Sequence, residues 1–215
     1  MKLQKIAQIC KKHTTLTVME AGGVQWISIG AAAYAVYGMP KMKTKNEVMA
    51  VLDVPEDKRD GYNVKFANPA DPKHFLDVEE GEQMLREVDY TFMQRGRYLR
   101  PLFDDDGAVW WLSECYLAPL DADGITYHLR TAPTGHHIAV KKGFSIMAMI
   151  GVHLVTSEVE ESLHELITGS AVGWRKGYRV PREIVERNRG LQMLLDVGFA
   201  KDDPEEEEYE QETLA

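Results

Sequence analysis

The sequence predicts an α+β fold: antiparallel sheets with a few amphipathic helices, arranged as two pseudo-repeated helix-plus-strands halves. Three observations carry this expectation. Short runs of β-branched and aromatic residues recur at hairpin spacing, separated by turn signals such as Gly22-Gly23, Arg95-Gly96, Asp104 to Gly107, Asp121 to Gly124 and Lys142-Gly143. Helical periodicity is confined to a few short segments. The two halves, about 1–66 and 88–169, share one order of elements, a helix or helical turn and then a ribbon of short strands.

The first segment, KLQKIAQICKKH, puts Leu3, Ile6, Ala7 and Cys10 on one helical face and Lys2, Lys5, Gln8, Lys11 and Lys12 on the other. Two or three strands follow through Tyr37, with Gly22-Gly23 as the tight turn between the first two. Thr44 with Glu47 three residues later is a capping box for a helix through about Leu52, which Pro55 and EDKRDG bring to an end. Residues 68–87, rich in Pro and then acidic, read as a connector with little regular structure. Candidate strands then run over 90–94, 97–103, 108–112, 125–131, 136–141 and 144–154. Ser157 with Glu160 caps a helix whose stripe is Val159, Leu163, Leu166 and Ile167, completing a body over 1–169.

Beyond it lie a basic helical extension over 170–199, with Pro181 suited to a first helical turn, and an acidic tail over 200–215. The chain carries −9 over 215 residues, yet Asp202, Asp203, Glu205 to Glu208, Glu210 and Glu212 against Lys201 account for −7, leaving −2 for the rest. Such a block repels itself and buries no apolar surface, so the tail is expected to be disordered and the acidic total says little about the body. The longest apolar run, Phe144 to Val155, is broken by Ser145, Gly151 and His153 and is too short to span a bilayer; no signal-peptide pattern opens the chain. A cytoplasmic protein without membrane contact is expected, with Cys10 and Cys115 as reduced thiols.

The densest chemistry lies between Tyr98 and Gly124, where Tyr-Leu-x-Pro-Leu occurs twice, each time followed by an acidic run ending in Gly. A calcium loop would need oxygen ligands at its first, third and fifth positions and a Glu at its twelfth. Setting Gly107 as the sixth puts Leu102 first and Ser113 twelfth; setting Gly124 there gives Pro119 and Arg130. Both stretches therefore read as turns. His136 and His137, adjacent on a strand, point to opposite faces and do not chelate one ion. Cys115 with His128 or His153 lacks an oxyanion-hole or orienting-acid pattern, so buried Cys and surface His are expected. Alternation leaves at most one of Trp110 and Trp111 free for base stacking. No catalytic residue, cofactor or metal is assigned.

The second half resembles the last part of the bacterial DNA polymerase sliding clamp. The matching residues are Tyr116-Leu117 for the family's "YL" helix, then Ile125 to Arg130, His136 to Val140, and Met147 to Leu154, with Ile150-Gly151-Val152 at its Met-Pro-Val. The resemblance covers about 80 residues and implies a clamp-like domain of a replication-associated, non-enzymatic protein, of phage or mobile-element type. It implies that helices face duplex DNA with positive charge. Lys2, Lys5, Lys11 and Lys12 meet that expectation, while SECYLAPL carries no Lys or Arg. Arg175, Lys176, Arg179 and Arg182 of the extension are further candidate phosphate contacts. The chain has room for about one clamp domain, so a ring would need several copies. The alternative is a protein-interaction module, self-associating or bound to another protein, with no nucleic-acid role.

Overall fold

Helix α1 (Leu3–His13) forms where the sequence places its apolar stripe, and Ile6, Ala7 and Cys10 are buried against the sheet. Its entry is fixed by the Lys2 amide, which donates to the Pro119 carbonyl at 2.6 Å. The structure is a computed structural model that describes residues 1–169 except 14, 89, 133 and 134. The extension and tail, with Arg175, Lys176, Arg179 and Arg182, lie outside the described residues, as do the side chains of Lys11 and residues 164–169.

A three-stranded meander follows α1: β1 (Thr15–Ala21), β2 (Val24–Ile29) and β3 (Ala32–Val36). Gly22 and Gly23 take φ of +60° and +75°, the pair of left-handed conformations that a two-residue hairpin of matching twist demands. Helix α2 (Lys45–Val51) carries the expected capping box: the Thr44 hydroxyl accepts from the Glu47 amide and Glu47 accepts from the Thr44 amide. EDKRDG then winds into a 3-10 turn that delivers β4 (Asn63–Phe66) alongside β1, a parallel pairing with no alternating pattern to announce it.

The connector over 68–87 is more ordered than its composition suggests. It holds a 3-10 turn (Pro72–Phe75), started by the Asp71 carboxylate accepting from the Lys73 amide, and ends in β5 (Gln83–Glu87). The second half continues with β6 (Phe92–Gln94), β7 (Arg97–Phe103), β8 (Val109–Ser113), a 3-10 turn (Glu114–Tyr116), β9 (Ile125–Ala132), β10 (Gly135–Lys142) and β11 (Ser145–Gly151). Helix α3 (Ser157–Gly169) closes the described chain, its first bonds made to the carbonyl of Thr156.

All eleven strands belong to one mostly antiparallel sheet in the order β4-β1-β2-β3-β11-β10-β9-β5-β7-β6, with β8 on β7. Its centre is the antiparallel pair β3 and β11. On either side lies a meander preceded by a helical element, α1 before β1-β2-β3 and the Glu114–Tyr116 turn before β9-β10-β11, so the connectivity is two-fold about that pair. Ile6 of α1 and Tyr116 of the turn join the same core with Ile27, Tyr34, Ile138 and Ile150, which places both helical elements on one face. Strand β5 is shared: Gln83 to Leu85 pair with β9, whereas Arg86 and Glu87 pair with β7, and there the sheet turns away.

The opposite face is small and aromatic, with Trp26, Ala33, Ala35, Ala139, Ile146 and Met149. Beyond the bend, α3 lays Val159 and Leu163 on Leu99, Phe103 and Trp111. Both tryptophans of the Trp110-Trp111 pair are therefore buried. The outward-pointing ring meets a second layer that strand alternation alone does not reveal.

The acidic run at Asp104 is a turn, as its spacing requires. The buried Asp104 carboxylate accepts from the Ala108 amide at 2.8 Å and from the Trp110 indole at 2.9 Å, and its backbone amide donates to the Ala108 carbonyl. Truncation orphans two buried donors at once. Asp104→Ala should cost about 2–4 kcal/mol of unfolding free energy in urea titrations, and added calcium should leave the wild-type midpoint where it is.

Candidate nucleic-acid interface

The outer face of α1 carries no carboxylate. Lys5 and Lys12 are exposed there with Gln4 and Gln8 between them, and Lys11 occupies the same helix. Lys2 is exposed but spoken for, since its ammonium lies 3.9 Å from Asp121, which also takes the N-terminal ammonium at 3.3 Å. Those hydrogen-bonded and charged partners hold the Asp121 carboxyl below its ordinary range. Burial pulls the His13 imidazole down, and the nearby Arg97 and Lys12 charges add to that. His13 therefore contributes no charge at neutral pH, while Arg97 of β7 brings one that sequence spacing does not connect with α1.

The matching element of the second half has the opposite sign. Glu114, Asp121 and Asp123 flank the Glu114–Tyr116 turn, and the nearest guanidinium, Arg100, is tied to Glu114 at 2.8 Å and to Glu87. The structure thus places Lys5 and Lys12 on one helix with Lys2 just ahead of it, and among the described residues it adds no basic partner from the symmetric position.

A denser ionic cluster lies on the other face, under the segment 71–82. Arg130, whose side chain is fully buried, donates to the carbonyls of His74 and Leu76 at 2.8 and 2.7 Å and to Glu82 at 2.6 and 2.9 Å. Glu82 also pairs with the buried Lys141 and lies 3.7 Å from His128. His74 Nδ1 lies 3.1 Å from Glu79, and its ring meets that of His137 edge-on at 5.0 Å. Burial alone would raise the Glu82 carboxyl; the hydrogen bonds and charges of Lys141 and Arg130 outweigh it and hold the acid below its usual range.

His136 and His137 do point to opposite faces, and both are half-buried. His136 packs tilted against Trp110, with ring centroids 4.8 Å apart, and His137 is wedged against His74. Two further expectations need correction. Cys115 is exposed, its thiol 3.2 Å from the Ser113 hydroxyl, because the 3-10 turn aims it away from the sheet. His128 and His153 are largely covered rather than on the surface; the His153 amide donates to Trp111 as a one-residue bridge beside β8. Cys10 is buried, which pushes its thiol up to about 12. Among the described residues no three His, Cys, Asp or Glu side chains are grouped as a metal ion would require, and no helix is long and apolar enough to cross a membrane.

No family model, curated protein or solved structure matches the chain. Sequence pattern located the α1 lysines, because helical periodicity sorts charged from apolar positions. It missed the Arg130 cluster, whose members come from the connector, β9 and β10 and meet only in three dimensions.

Three measurements check these assignments. Removing Arg130 leaves Glu82 facing Lys141 with half its donors gone and three carbonyls unpaired, so Arg130→Ala should cost about 3–5 kcal/mol in denaturant unfolding. Because folded Glu82 titrates below its ordinary 4.5, the stability it supplies is present above about pH 4.5 and lost as the pH falls through the lowered value. A thiol-reactive dye on the native protein should label Cys115 promptly and Cys10 only after unfolding.

Proposed function

We propose that the chain is a non-enzymatic, clamp-like protein that associates with duplex DNA without sequence preference, meeting the phosphates through α1. The observation that carries this reading is the carboxylate-free outer face of α1, with Lys5 and Lys12 exposed, on a sheet built of two meanders that each follow a helical element. Lysines on a solvated helix bind phosphate as point charges and release counterions, which gives weak and steeply salt-dependent association. Arg175, Lys176, Arg179 and Arg182 supply further cations from sequence alone. The acidic patch around Asp121, which neutralises Lys2 and the N-terminal ammonium, repels such a ligand, so contact is one-sided, along the rest of α1. A replication role of phage or mobile-element type belongs to the same reading.

A second reading, a protein-interaction module, is favoured by a separate observation. Leu76, Val78, Tyr37 and Phe144 are exposed at one end of the sheet, with Phe144 88% exposed at the β10–β11 hairpin tip. The Tyr37 hydroxyl and the Asp77 carboxylate both bond the Ile146 backbone, which draws these segments together.

Fluorescence anisotropy with a labelled duplex separates the two. Binding should weaken with salt with a log–log slope of about −3, and Lys5→Ala with Lys12→Ala should flatten that slope by about 2. A signal that ignores salt, in both the full chain and a chain ending at Phe199, rejects the DNA reading. Light scattering after size exclusion should then return a monomer, and a pull-down should return DNA-independent partners.

A further inference from the structure

The segment 72–82 crosses the second face of the sheet without a backbone ladder to it until β5 begins at Gln83. Side chains hold it instead. Arg130 grips the carbonyls of His74, Leu76 and Asp77, Glu82 bridges Arg130 and Lys141, and the Asp77 carboxylate accepts from the Ile146 amide. Phe75 packs edge-on against Trp26 with ring centroids 5.0 Å apart, and the sheet residues beneath are the short Ala33, Ala35 and Ala139. This segment is the cover of the Trp26 face among the described residues.

Two histidines sit at its fastening. Nε2 of His74 and Nδ1 of His137 are buried with no hydrogen-bond partner among the described residues. A proton added to His74 Nε2 makes a buried cationic donor with no acceptor among the described residues; at His137 the Gly135 backbone favours the charged ring, but burial outweighs it. We propose that residues 72–82 form an acid-released strap, in which protonation of His74 and His137 detaches the segment from the sheet and uncovers Trp26 and Phe75.

The surrounding charges fit this direction. From β9, His128 and Arg130 face the pair, and from β10 Lys141 does; His136 lies on the opposite face and acts on His137 only through its charge, and β11 contributes no titratable side chain. On the strap itself are Asp71, Asp77, Glu79 and Glu82. Asp77 is exposed and bound to Ile146, and Glu82 is already shared by Arg130 and Lys141, which leaves Glu79 at His74, and more weakly Asp71, bound to the Lys73 amide, as the carboxylates that favour a proton on His74. Burial, and then the neighbouring His74, hold the His137 imidazole down at about 4; burial, with Arg130, holds His74 down too, against Glu79. The folded values lie below the ordinary 6.5, so the strap's stability is complete above that pH and drains away as the pH falls from about 6.5 toward 4.

Hydrogen exchange read by mass spectrometry on the full chain at pH 7.5 and pH 5.0, corrected for intrinsic rates, tests this. The expected result is at least a tenfold loss of protection over 73–82 at pH 5.0, with β1 to β3 and β9 to β11 unchanged. His137→Leu, which accepts no proton, should keep the strap protected at pH 5.0; should it fail to fold at pH 7.5, His74→Phe replaces it. Equal strap protection at the two pH values overturns the proposal. So does simultaneous loss in the strap and the meanders, or an acid response in the folded variant as large as that of the parent. The result is independent of whether α1 binds DNA.

Discussion

Where β3 meets β11, two strands far apart in sequence share three partner pairs, Tyr34 with Ala148, Ala33 with Met149 and Ala32 with Ile150. The contact is extended by the Gly151 amide donating to the Ala31 carbonyl at 2.7 Å, where a side chain on Gly151 would press on that same oxygen at 3.4 Å. Everything else is arranged about this seam. It makes one sheet of two meanders, and it sets α1 and the Glu114–Tyr116 turn side by side on one face. The Tyr34 hydroxyl reinforces the join by donating to the Tyr116 carbonyl at 2.9 Å, tying the central strand of one half to the helical turn of the other. Each of its three pairs sets an alanine, at 32, 33 or 148, against a larger residue.

The two faces solve the problem of burial differently. On the α1 face, Ile6, Leu16, Ile27, Tyr34, Ile138 and Ile150 are fully or almost fully buried, and apolar area supplies the driving force. On the strap face alternation places His128, Arg130, His137 and Lys141 opposite the leucines and valines of the first core, and the connector answers them with Glu79, Glu82 and backbone carbonyls. Buried ion pairs of this kind contribute little net stability over a well-packed apolar equivalent, but they penalise every arrangement that leaves one charge alone. Their effect is to fix where the connector lies rather than to strengthen the sheet.

How much of this was legible in the sequence follows from which signals are local. Capping at Thr44 and Glu47, the Gly22-Gly23 and Lys142-Gly143 hairpins, the Asp104 turn and the stripe of α1 depend on residues within a few positions of each other, and the structure places them as read. The basic α1 face was legible for the same reason. What escaped was non-local. Strand β4 is short and has no alternation, Trp111 is covered by a helix nearly fifty positions later, and Arg130 looks like an ordinary strand residue until its carbonyl partners arrive from the connector. Proline and acidic residues made the connector read as unstructured, whereas three of its carbonyls are held by one guanidinium.

The seam also bears on how the chain is made. During synthesis β1, β2 and β3 emerge and pair with one another first, and β4 joins β1 soon after, but β3 has no neighbour on its other edge until residues 145–151 have left the ribosome. For that interval the nascent first half presents an open edge of alanines and Tyr34, without the charges or prolines that usually discourage edge-to-edge pairing between chains. A topology that closes through its last strand folds late and slowly for its size. Its most vulnerable species is therefore the half-made chain, in which the future centre of the sheet is still its border.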